Sequence, residues 1–213
     1  MSRILLVRHG HVTGIAPGRF RGRSDLALTE LGLRQAGVTA DWIAAHWQPA
    51  AVYSSPLQRC RVTAQHIATA CAVPCRISAC FNDLDYGDWQ GRTHAQVLAA
   101  SPLEYRHWRD MPELHRFPGG ESLLELAARI ADGLRDVLEA HPDDTVVIVG
   151  HDSGIRTALL RFLELPLSAY RRIELEPCGI SEIVVESGGT TVWRINETAH
   201  LARTADPRWG TGG

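Results

Sequence analysis

Two apolar runs in this chain each end on a histidine. Ile4-Leu5-Leu6-Val7 is followed by Arg8-His9-Gly10, and Val146-Val147-Ile148-Val149 is followed by Gly150-His151. A neutral imidazole is a good nucleophile at physiological pH and forms a labile N–P bond. Guanidinium groups hold phosphate oxygens in pairs and stabilise transition-state charge. Arg8 adjoins His9, and Arg59 follows Ser54-Ser55-Pro56-Leu57-Gln58. An arginine in the first turn of a helix opposes the dipole unless an anion binds there. These residue types suit phosphoryl transfer, with His9 and His151 at its centre. A proton donor is available in the stretch Phe81–Gly91, where Asp83, Asp85 and Asp88 stand beside Tyr86 and Trp89. Apolar neighbours raise a carboxyl pKa, and the residues alone leave open which of the three is tuned. Arg19, Arg21 and Arg23 alternate in a glycine-rich segment that is either a solvated loop or a rim meeting an anionic substrate.

The two apolar runs read as fully buried strands of a parallel sheet, and open α/β sheets place ligands at the C-terminal ends of such strands. Around them the pattern predicts a helix from an N-cap at Thr29 to Ala44, with Leu31, Val38, Trp42 and Ile43 on its apolar face. A strand over Ala51–Ser54 precedes a helix from Pro56 to about Ala70, since proline suits a first turn. A short strand near Cys75–Ser78, a helix over Glu121–Glu139 with Leu124, Leu126, Ile130, Leu134 and Leu138 inward, and a helix from Asp152 to about Leu163 follow. Strands at 179–186 and 191–195 are joined by Ser187-Gly188-Gly189, a hairpin signal. Residues 93–118 are irregular in pattern and predict a lid-like excursion over the sheet edge. The tail after Ala202 is expected to be loose. No repeat or linker divides the chain, so residues 1–213 are expected to form a single domain, a three-layer α/β/α sandwich with a mostly parallel central sheet.

Composition narrows the partners. The 213 residues are 45% hydrophobic and 22% charged with net charge −2, ordinary values for a folded domain. Arginine dominates the basic residues, but no basic tract or basic–aromatic interleaving points to nucleic acid. No apolar signal segment opens the sequence and no run approaches membrane-spanning length, which predicts a cytoplasmic protein without a membrane partner. Five cysteines, Cys60, Cys71, Cys75, Cys80 and Cys178, are an odd number without an export signal, so a disulfide framework is not expected. Cys71, Cys75 and Cys80 cluster, but without the tight pairs and four ligands of a structural zinc site.

Taken together, these segments resemble the histidine phosphatases, the phosphoglycerate mutase-like superfamily, over nearly the whole chain. The resemblance rests on Arg8-His9-Gly10, Gly22-x-x-Asp25-x-x-Leu28-Thr29-x-x-Gly32, Ser54-Ser55-Pro56-Leu57-x-Arg59 and Tyr86-Gly87-x-Trp89-x-Gly91. Gly119-Gly120-Glu121-Ser122, Gly150-His151 and Asn196-x-x-x-His200-Leu201 complete it. It implies a phosphohistidine intermediate on His9, a phosphate pocket of Arg8, Arg59 and His151, and an acidic donor at Asp83, with Asp85 and Asp88 in reserve. The family's small-molecule members usually carry glutamate at the donor position, so aspartate is a departure. His11, where many members have glutamate or glutamine, is another; it is a rim residue, a partner of His9 or a surface histidine.

The implied activity is hydrolysis of a small-molecule phosphate monoester without cofactor or metal. The mutases carry a tryptophan where this chain has Arg23-Ser24 and a longer insert where it has Thr93–Pro118. A phosphoenzyme must be kept dry for re-transfer, so the short insert favours hydrolysis. The Gly22–Gly32 and Asn196–Leu201 elements look most like the α-ribazole phosphatase and broad-specificity branch. A mutase and a non-catalytic module binding a phosphorylated ligand are the alternatives; a homodimer is left open. A metal hydrolase fits poorly, because no His-Glu-x-x-His spacing appears and arginine beside the ligands would repel a cation.

Overall fold

Side-chain alternation along adjacent strands sets the layers. The computed structural model describes residues 1–15 and 18–203. Strands β1 (Ser2–Arg8), β2 (Pro49–Ser54), β3 (Cys75–Ile77), β4 (Thr145–Gly150), β5 (Ile180–Glu186) and β6 (Gly189–Glu197) form one sheet in the order β3-β2-β4-β1-β5-β6. The first four strands in that order run parallel, and β5 and β6 close one edge as an antiparallel hairpin. Ile4 and Leu6 of β1 and Val146 and Ile148 of β4 enter one core; Leu5, Val7, Val147 and Val149 enter the other. Strands buried on both faces lose polar alternation, which is why they read as unbroken apolar runs.

Helices α1 (Glu30–His46) and α2 (Gln58–Cys71) cover the second core. Helices α5 (Leu123–Ala140) and α6 (Asp152–Phe162) cover the first, completing the α/β/α sandwich. Between them, α3 (His94–Ala100) and α4 (Pro102–Asp110) replace the irregular run expected over residues 93–118. Local signals explain them: a capping box between Thr93 and Gln96, and Pro102 in the first turn of α4. Among the described residues no helix is long and apolar enough to cross a membrane. From residue 204 on, the tail expected to be loose lies outside the described residues.

Three helix readings shift. The face of α1 turned inward is Gly32, Ala36, Thr39, Ala40 and Ile43, a stripe of mostly small side chains that lets the helix approach closely. In α5 the buried stripe is Leu123, Leu126, Ile130, Leu134 and Val137, and Leu124 is 66% exposed. α2 begins at Gln58 instead of Pro56, because Asp25 Oδ1 accepts from Gln58 N at 2.7 Å and caps it from the preceding loop.

Gly32 sits where α1 meets the turn after β1, and a Cβ there would lie 2.2 Å from the His11 carbonyl oxygen. Gly37, in the same helix, has nothing within 4 Å of its virtual Cβ. Gly32→Ala should therefore lower unfolding stability by about 1–3 kcal/mol, since backbone must move. Gly37→Ala should raise it by roughly 0.5–1 kcal/mol through helix propensity. Urea unfolding of the two variants checks the contrast.

Candidate active site

Parallel pairing of β1 with β4 brings the two histidines together. Arg8 is the register partner of Gly150, and His9 N donates to Gly150 O at 3.0 Å. Both chains leave the sheet at this height, and the His9 and His151 ring centroids stand 5.3 Å apart at 61°. Both side chains are essentially buried, 2% and 1% exposed.

His9 Nδ1 lies 2.7 Å from the carbonyl oxygen of Gly10. A carbonyl can only accept, so the proton is on Nδ1 and the lone pair on Nε2. Burial, followed by His151, Arg59 and Arg8, pushes the His9 pKa well below its usual value, so the ring is neutral near pH 7. Burial and Arg59 do the same to His151. Ser55 Oγ accepts from Leu57 N at 3.3 Å and lies 2.8 Å from His151 Nε2. His151 Nδ1 lies 3.5 Å from Asp83 Oδ2.

Arg59, expected in the first turn of a helix, is there and fully buried. Its Nη2 donates to Asp83 Oδ2 at 3.0 Å and to Gly22 O at 2.7 Å, and Nη1 donates to Ser24 O at 2.7 Å. Arg8 Nη1 donates to Leu175 O. Arg8 Nε and Arg59 Nε are buried donors without a hydrogen-bond partner among the described residues. A buried donor left unpaired is costly, and an anion between these two arginines would satisfy both.

Asp83 is the carboxylate turned into this cluster. Its Oδ1 accepts from Ser153 Oγ at 2.5 Å and Leu84 N at 2.8 Å. Burial raises its pKa above the ordinary carboxylate range, outweighing Arg59 beside it. Asp85 is instead paired with Arg23 at 3.1 Å, and Asp88 is exposed. The three rim arginines separate. Arg21 is half-buried, donates to Gly14 O at 2.9 Å, and lies close enough to Asp152 and Arg8 to feel their charge. Arg23 joins Asp85 and Glu121, and Arg19 donates to Gly91 O at 3.0 Å. His11 faces the N-terminus of α1, with Nδ1 2.9 Å from Thr29 Oγ1, while Arg21 and Arg8 add to the burial that lowers its pKa. Among the described residues no three His, Cys, Asp or Glu side chains are grouped to hold a metal ion. Cys71, Cys75 and Cys80 are free thiols.

Sequence reasoning missed Ser55, Ser153 and Asp152. Burial alone would raise the Asp152 carboxyl, but Arg8, Arg156 and Arg21 hold it below the ordinary range. The signal was present in Gly150-His151-Asp152-Ser153, where the residues after the histidine open α6 toward the same space.

The histidine phosphatase superfamily (branch 1) model matches residues 4–198. The chain is 30% identical over 201 residues to phosphoserine phosphatase 1 of Hydrogenobacter thermophilus, covering 94% of this chain and 95% of that one. A probable phosphoglycerate mutase of Yersinia pestis is 31% identical over 210 residues, with 94% and 95% covered. A phosphoserine phosphatase variant from Entamoeba histolytica in complex with phosphoserine superposes with a TM-score of 0.83 at 27% identity, covering 94% of this chain and 100% of that one. Two histidines just beyond paired strands, the arginines beside them and a family match over nearly the whole length agree: this chain belongs to the histidine phosphatase superfamily, branch 1.

Proposed function

We propose that the protein hydrolyses a small phosphate monoester through a phosphohistidine on His9, without a metal ion. The observation that carries this is the Nε2 lone pair of a neutral, buried His9 beside Arg8, Arg59 and His151. His9 Nε2 attacks phosphorus, the P–O bond to the alcohol breaks, and the leaving oxygen takes the proton of Asp83. Water then attacks the phosphorus, Asp83 accepts its proton, the N–P bond breaks with its electron pair returning to His9 Nε2, and inorganic phosphate leaves. Arg8 and Arg59 balance the charge of the equatorial oxygens in both steps, and His151 adds a hydrogen bond. Arg21, the rim arginine facing Asp152 and Arg8, suits a substrate that carries a further anionic group. The relatives that act on phosphoserine support that class of ester.

The mutase relative favours a second reading, in which the phosphoryl group returns to substrate. Products from 3-phosphoglycerate separate the two: inorganic phosphate and glycerate for a hydrolase, 2-phosphoglycerate for a mutase.

Replacing His9 by alanine should abolish turnover and phosphoenzyme trapping while leaving the circular dichroism spectrum and thermal midpoint near those of the parent. Wild-type rates in that variant would remove the nucleophile from the scheme. Excess chelator should leave the rate unchanged, and vanadate, a five-coordinate phosphorus mimic, should inhibit; loss on chelation reversed by one divalent ion would point to metal chemistry.

Asp83 is tested through the leaving group and pH. An alkoxide needs protonation far more than p-nitrophenolate, so Asp83→Asn should cost an alkyl phosphate about 10²–10⁴-fold more than the aryl ester. His9 must be unprotonated, and its pKa is lowered, so the acid limb of kcat/KM should lie below pH 6.5. Asp83 must be protonated, and its pKa is raised, so activity falls as pH climbs through that raised value. That basic limb should vanish in Asp83→Asn assayed with the aryl ester.

A further inference from the structure

The donor carboxylate stands on a loop with little secondary structure of its own, so something outside the loop must hold it. The side chain of Arg129, on α5, lies against it. Arg129 Nη1 donates to Cys80 O at 2.8 Å and Asn82 O at 3.0 Å, and Nη2 reaches Asp83 O at 3.3 Å. The same Nη2 pairs with Glu121 Oε1 at 2.6 Å. Glu121 in turn accepts from Asp85 N at 2.9 Å, and Arg23 adds Nε to Asp83 O at 3.4 Å. The backbone up to and including Asp83 is thus gripped by one planar fork, and the carboxylate that anchors the fork, Glu121, holds the far side at Asp85 N.

Resting on the assignment of Asp83 as proton donor, we propose that Arg129 is a positioning residue for the leaving-group step, which sets the Asp83 carboxyl relative to His151 and Arg59. Among the described residues its guanidinium makes no hydrogen bond to His9, Arg8, Arg59 or His151; its charge adds to the burial that lowers the His151 pKa, an influence common to all esters, while its contacts with the donor loop run through carbonyls. Lysine offers a single ammonium point and cannot span three carbonyls and a carboxylate together. Phosphoryl transfer to His9 needs the arginines and the imidazole; protonation of the leaving oxygen needs a carboxyl placed to within a fraction of an ångström. Loss of the fork should therefore slow esters with poor leaving groups selectively.

The experiment compares Arg129→Met, Arg129→Lys and Asp83→Asn on an alkyl phosphate monoester and on p-nitrophenyl phosphate, with a thermal midpoint for each. In Arg129→Met, kcat for the alkyl ester should fall about 10- to 100-fold more than for the aryl ester, the size expected of a misplaced catalytic group, while KM changes little. Arg129→Lys should recover part of that difference, and it carries the measurement if the methionine variant does not fold. Equal losses on both esters, or none, overturn the proposal, because a merely structural arginine would lower both alike. If Asp83→Asn shows the leaving-group dependence and the Arg129 variants do not, this inference falls and the assigned donor stands. If Asp83→Asn lacks the dependence, the donor assignment falls and takes the role of Arg129 with it.

Discussion

Everything at the reactive centre depends on the register between β1 and β4. Residue-for-residue parallel pairing from Arg3 with Thr145 to Arg8 with Gly150 leaves His9 and His151 as the first residues free of the sheet. A slip of one residue would turn every side chain of β1 to the opposite face. Leu5 and Val7 would then trade cores with Ile4 and Leu6, so the packing of both cores enforces the placement of the imidazole.

Burial then gives the polar groups their character. It holds both imidazoles neutral among arginines, and it pushes two nearby carboxyls in opposite directions. Asp83 lies mainly under the influence of desolvation and is raised; Asp152, ringed by Arg8, Arg156 and Arg21, is lowered. One carboxyl is thereby suited to carry a proton, and the other to balance positive charge. The glycine-rich loop after β1 is tied into the same arrangement. Arg59 holds it by the carbonyls of Gly22 and Ser24, and Asp25 returns the contact by capping α2. The loop needs no regular structure because the first turn of a helix supplies its partners.

The strands that deliver His9 and His151 were legible because strands buried on both faces are apolar without interruption, and a polar residue at their end stands out. Arg59 was legible as a charge in an unfavourable place on a helix. The face of α1 was misread because large apolar side chains were sought where close packing requires Gly32, Ala36 and Ala40. Leu124 was misread because a stripe drawn one position late at each end of α5 still gathers Leu126, Ile130 and Leu134. The two short helices of residues 93–118 carry few buried side chains, Val97 and Trp108 among them, so no long periodicity marks them. Arg129 gave no signal at all, since its work is done on backbone carbonyls that every residue possesses.

The two strands that make the site also lie far apart in the sequence, with β2 and β3 formed from the chain between them. Contacts of such high sequence separation are slow to form, because a long loop must close before they return any stability. A chain emerging from synthesis would hold β1 and the His9 imidazole for most of its length without the strand that buries it. Phosphoryl chemistry therefore has to be a property of the finished molecule. The arrival of β4 covers one edge of β1 and completes the site, and β5, later still in the chain, covers the other edge.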